Sequence, residues 1–157
     1  MVGLIIAILL FNLIAFKTNK ILTGNLIAHI WMFTVALQTL FDTIIEFKFY
    51  AYWYFDKGAD WLGLLPHIFL VPPVNMIFLN WFPYTANIFK KAVYIFFFVI
   101  TILLYELVTL LPEPWGYFHY GWWKLWHAAI LDPILLLILL GYYKWVRHLE
   151  RNALEKK

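Results

Sequence analysis

With 157 residues, 64% hydrophobic and only 13% charged, the chain is not a soluble domain, in which roughly a quarter of residues are charged. It has no cysteine, which excludes disulfides, thiolate metal sites and a cysteine nucleophile. The net charge of +3 is no nucleic-acid signal, because most basic residues adjoin hydrophobic segments, where they serve lipid headgroups and topology.

Five hydrophobic segments follow one another: residues 2–16, 26–47, 61–82, 92–111 and 126–146. The first covers only about 22 Å as a helix. It lacks the basic leader and small-residue cleavage site of a signal peptide, so it reads as a short or tilted span. The second is long enough to cross a bilayer, yet it carries Gln38, Asp42 and Glu46 at four-residue spacing, on one side of the helix. A carboxylate in a span costs on the order of 3 kcal/mol on insertion scales, so these groups are expected to face protein or a wet cavity. Pro72 and Pro73 in the third segment and Pro133 in the fifth remove backbone donors and are expected to kink their helices.

With five spans, Lys17, Lys20, Lys90, Lys91, Lys144, Arg147, Arg151, Lys156 and Lys157 share one side, against Lys48, Lys57 and Lys124 on the other. The positive-inside rule then places the N-terminus outside and the C-terminus in the cytoplasm. The two outer loops are dense in aromatics: Tyr50, Tyr52, Trp53, Tyr54 and Phe55 in one, Trp115, Tyr117, Phe118, Tyr120, Trp122 and Trp123 in the other. They read either as an interfacial anchor belt or as a lid over a pocket.

The ionisable residues suggest such a pocket. Asp42, His67, Glu106 and Asp132 fall five or six residues from the outer ends of four different segments, and His127 lies near the start of the last. Acids and imidazoles converging at low dielectric can hold a divalent metal, with Asp42, His67, Glu106, His127 and Asp132 as candidate ligands. They can also share protons or bind a polar headgroup. The alternative is a hydrogen-bonded network that only locks helix packing. His127 and Asp132 stand about 140° apart on an ideal helix, so one face does not present both to an ion without the Pro133 kink. Glu46, Glu113 and His119 are expected nearer water. Gln38 is expected to orient Asp42 from one turn away. There is no His-Glu-x-x-His, no Gly-x-Ser-x-Gly and no phosphate-cradling glycine loop.

The runs Tyr52-Trp-Tyr-Phe-x-Lys-Gly58, Pro72-Pro-Val-Asn-Met76, Asn80-Trp-Phe-Pro83 and Leu111-Pro-Glu-Pro-Trp-Gly-Tyr117 resemble a family of small membrane proteins of Gram-positive spore-forming bacteria. That family has no assigned activity, so the resemblance implies a bacterial cytoplasmic membrane and no catalytic residue. Trp53, Phe55, Gly63, Pro66 and Phe69 more faintly resemble the order of motif residues in multi-span lycopene cyclases, but His67 and Ile68 stand where that family's paired acids are expected.

The expected fold is therefore all-α, an integral membrane bundle of about five transmembrane helices, two of them proline-kinked. Residues 1–147 form the bundle and 148–157 a polar cytoplasmic tail. The expected function is binding or transport of a cation, proton or lipid-like ligand in the outer leaflet, by Gln38, Asp42, His67, Glu106, His127 and Asp132. One alternative is a non-catalytic interaction subunit of an envelope or sporulation complex. Another is an intramembrane enzyme acting on a lipid or isoprenoid. The expected partners are membrane lipids and a membrane protein or second copy of the chain, with no nucleic acid. The candidate cofactor is a divalent metal.

Overall fold

The computed structural model describes residues 1–58 and 61–155. Lys156 and Lys157, counted above among the cytoplasmic charges, lie outside the described residues. The fold is all-α, as expected, with five α-helices: α1 (Val2–Thr18), α2 (Gly24–Asp42), α3 (Val71–Trp81), α4 (Ile88–Thr109) and α5 (Leu125–Glu155). Two π-helical segments, Thr43–Lys48 and Pro66–Leu70, extend α2 and precede α3. The two aromatic loops pair as short antiparallel strands, β1 (Tyr52–Trp53) and β2 (His119–Tyr120), with Tyr52 opposite Tyr120 and Trp53 opposite His119.

Local chemistry sets the helix ends. Thr23 accepts a hydrogen bond from the Leu26 amide at 3.2 Å, and Asn87 accepts one from the Lys90 amide at 3.0 Å. Caps of this kind contribute about 1 kcal/mol each. The Asn87 cap starts α4 four residues before the expected boundary, so Lys90 and Lys91 occupy its first turn. Residues 61–63 form a turn, which makes the third helical unit shorter than its hydrophobic run. The polar tail continues α5 as helix to Glu155.

Length and composition suit three helices to cross a membrane: Gly24–Lys48, Ile88–Thr109 and Leu125–Glu155. The apolar α1 is shorter, at 17 residues. Burial is very uneven among the helices. α3 packs against α1, α2 and α5 and buries Met76, Ile77, Phe78 and Leu79 in succession. α4 instead leaves Phe96, Phe97 and Leu104 exposed, the pattern of a helix whose outer face meets an apolar solvent.

The prolines of α3 sit in its first turn, where a missing amide costs least. In a regular helix Pro73 would still deprive the Phe69 carbonyl of a donor, and the Asn12 side chain of α1 supplies one at 2.8 Å. Val71 meanwhile bonds back to Pro66 in the wider π register. A side chain from a neighbouring helix thus satisfies a freed backbone group, the condition under which apolar surroundings tolerate proline. Pro133 lies inside α5.

Two polar ends tie the bundle. At one, the amide of Gly3 bonds to the Pro114 carbonyl at 3.2 Å, and the Trp122 indole bonds to the Phe49 carbonyl at 2.9 Å. At the other, Asn80 accepts from the Lys20 amide at 2.8 Å and donates to the Thr18 carbonyl at 2.6 Å. Asn25 there donates to Glu150 at 2.5 Å.

Candidate functional site

Between the helices, under the β1–β2 ribbon, lies a cavity of about 440 Å³. Every helix contributes to its wall, from Phe11 of α1 and Phe33 of α2 to Val74 of α3, Phe98 of α4 and Leu135 of α5. Binding pockets for small molecules commonly hold roughly 300–1,000 Å³ and are mostly apolar with a few placed polar groups. Here the charged groups of the lining are Glu106 and Asp132, and Gln38, Thr34 and Asn75 add neutral polarity. Asn75 is already committed, donating to the Thr34 hydroxyl at 2.9 Å.

Glu106 of α4 accepts a hydrogen bond from the Tyr120 hydroxyl at 2.5 Å. Asp132 of α5 lines the same cavity, and its buried Oδ2 has no hydrogen-bond partner among the described residues. Both carboxylates line the large cavity.

Asp42 and His67 form a second site. Asp42 ends α2 where the first π segment begins, and His67 lies inside the second π segment. Inserting one extra residue per turn re-aims side chains, and such segments recur at functional positions. Here they bring His67 Nε2 within 2.5 Å of Asp42 Oδ2. That ion-pair contact, rather than a hydrogen bond of ordinary geometry, occupies both atoms. The Tyr52 hydroxyl donates to the other carboxylate oxygen of Asp42. Only 2% of Asp42 and 4% each of His67 and Tyr52 are exposed. Burial, then the charge of Asp42, push the Tyr52 phenol far above its ordinary range, which keeps it a donor. A separate pocket of about 20 Å³ adjoins Asp42, Glu46 and His67.

The ribbon connects the two sites. Tyr52 and Tyr120 are directly opposed across the strands, so their side chains share one face. One phenol goes to Asp42 and the other to Glu106. Gly121 makes this close approach possible, because a Cβ there would collide with the Tyr50 carbonyl oxygen.

Several expectations need correction. His127 joins neither site: α5 begins at Leu125, so His127 falls in its first turn. There its Nδ1 accepts from the Lys124 amide at 2.9 Å and its ring stacks on Trp126 at 3.6 Å. Among the described residues no three His, Asp or Glu groups gather as a metal site, so the five proposed ligands do not form one centre. The groups that hold Asp42 are Tyr52 and His67, while Gln38 lines the large cavity. Glu46 is buried at 5% exposure, because the first π segment carries it inward. Read from sequence, Tyr52 and Tyr120 belong to an anchor belt or a lid, and neither reading gives them an acid as partner. The signal that marks them is the alternation Tyr50-Ala-Tyr52-Trp-Tyr54, a strand period in residues that favour strands. No protein-family model, curated protein or solved structure matches this chain, and the site is read from its own geometry.

Proposed function

We propose that the chain is a multi-pass membrane protein that binds a lipid-like amphiphile in the large cavity. In this reading all five helices cross the bilayer, the ribbon lies at the outer face, and the basic end of α5 reaches the cytoplasm. The observation that carries the proposal is the cavity of about 440 Å³, apolar over most of its wall and polar where Glu106 and Asp132 meet. An acyl or isoprenoid tail fits the aromatic wall, and a headgroup fits the carboxylates. Asp42 and His67 then serve as support, holding the π segments and β1 in place.

The test is native mass spectrometry of gently extracted protein beside a Val74→Trp variant, whose added ring enters the cavity. The expected result is one retained amphiphile per chain in the wild type and a bare subunit in the variant. A bare wild-type subunit that gains no mass when membrane lipids are added back overturns the proposal.

One further observation favours a catalytic version. Tyr52 lines the large cavity while its hydroxyl bonds to Asp42, which faces the small pocket. That chain can relay a proton from an acidic O–H or N–H of a bound headgroup, which leaves as the conjugate base, to the Tyr52 oxygen as the Tyr52 proton passes to Asp42. A product mass that forms from membrane lipids with wild-type protein, and not with Tyr52→Phe, is the expected outcome. Unchanged turnover in that variant excludes Tyr52 as the conduit.

A further inference from the structure

The sign of charge in the cavity narrows what its occupant is. Two carboxylates line it, and no Lys, Arg or His is among the lining residues. Among the described residues the side-chain donor to the pair is the Tyr120 hydroxyl, whose bond Glu106 accepts. Asp132 Oδ2 is buried and has no donor among the described residues. Like charges crowded in a low-dielectric space require a counterion or a shared proton, and a buried carboxylate oxygen requires a hydrogen-bond donor.

An ammonium group answers both needs, since it is positive, compact and carries donors but no acceptor. The surrounding walls also favour a cation over a neutral head. Tyr105, Phe118 and Trp123 line the same cavity, and aromatic faces attract cations. A phosphate or carboxylate head would meet repulsion here and find no basic side chain.

We infer that the cavity selects a cationic amphiphile, an amine-bearing head lodged between Glu106 and Asp132 with its apolar tail along the aromatic wall. This inference rests on the cavity being a binding site, and the experiment separates the two ideas. Dodecylamine and dodecanol share a tail and differ in the head. Each is titrated into the full chain in a neutral detergent, with binding read by native mass spectrometry, for the wild type and for a Glu106→Gln, Asp132→Asn double variant.

The expected result is one dodecylamine per chain, bound at least about tenfold more tightly than dodecanol, a difference of about 1.4 kcal/mol. In the double variant both probes are expected to bind at the dodecanol level, which also shows that the cavity survives the substitutions. Equal wild-type affinity for the two probes overturns the cationic assignment and leaves the cavity reading intact. So does an amine preference that persists in the double variant. Binding of neither probe to the wild type overturns the cavity reading and this inference with it.

Discussion

The molecule holds two acid sites, one buried and one half-buried, that differ in how fully the protein satisfies them. Asp42 is saturated: Tyr52 bonds to one oxygen, and His67 sits 2.5 Å from the other. Glu106 and Asp132 border an open volume, and one of their oxygens has no donor among the described residues. A charge that the fold itself neutralises belongs to the scaffold. A charge left facing a cavity is available to a ligand. The contrast teaches that depth and residue type alone do not distinguish a structural acid from a binding one, whereas the presence or absence of a charged protein partner beside each does.

If this contrast is right, the largest loss of stability follows from opening the saturated site. Asp42→Leu leaves His67 and the Tyr52 hydroxyl buried without their acceptor. Removing one member of a buried pair costs about 3–5 kcal/mol, and the expected outcome is poor recovery or a sharply lower unfolding midpoint in detergent. A midpoint near wild type would show that Asp42 is as unsupported as Asp132. Next comes Gly121→Val, which forces a side chain against the Tyr50 and Ala51 carbonyls. Its expected cost is about 3 kcal/mol, the upper end for overpacking. Because the ribbon carries both phenols, this substitution should also weaken amphiphile binding, whereas damage confined to the Asp42 site would leave affinity unchanged in the protein that remains folded.

These expectations show where the sequence was legible. Hydrophobic runs follow from local chemistry and place α1, α2 and α4 to within a few residues, whereas α3 begins at Val71, well inside the run 61–82, and α5 continues past its apolar run to Glu155. Spacing from segment ends put Asp42, His67, Glu106 and Asp132 at one depth, and of these Glu106 and Asp132 line the large cavity while Asp42 and His67 face each other elsewhere. It failed at His127, whose ring is taken up locally by the Lys124 amide and Trp126, contacts that a segment boundary does not show. It failed again at Glu46, because the π segment after Asp42 takes the residues beyond it away from regular helical spacing. It also failed at Gln38, which keeps that spacing inside α2 but lines the large cavity while Tyr52 and His67 take up Asp42. The ribbon was hidden by its own residues. Tyr and Trp near a bilayer surface are expected on general grounds, and two-residue strands are too short to stand out from that background. The partners of both acids therefore lay in segments whose composition had a simpler explanation.

The paired phenols give a finer comparison. Tyr52→Phe removes a donor from an acid that is 2% exposed, with an expected cost of about 2 kcal/mol for a buried bond to a charged group. Tyr120→Phe removes the equivalent donor from Glu106, which borders the cavity. Water or a ligand can replace it there, and the expected cost is under about 1 kcal/mol. Equal losses, measured as unfolding midpoints of the two variants, would remove the distinction between the sites.

The smallest effect on stability is expected at Asp132, and it is also the most informative. Asp132→Asn keeps the shape of the side chain and removes a carboxylate that lies beside Glu106. No protein donor is lost at Oδ2, because none is present among the described residues. Relief of like-charge repulsion in a poorly solvated space then outweighs the little that the acid contributes to the fold. The expected change is between zero and about 1 kcal/mol of stabilisation, seen as an unchanged or slightly raised midpoint without added amphiphile. With dodecylamine present the order reverses. A ligand that binds only the folded protein raises its stability in proportion to affinity, so the wild type should gain and Asp132→Asn should gain less. An acid whose removal stabilises the empty protein and weakens the loaded one is held for its ligand. If Asp132→Asn instead destabilises the empty protein by several kcal/mol, Asp132 supports the fold as Asp42 does, and the two sites are one kind.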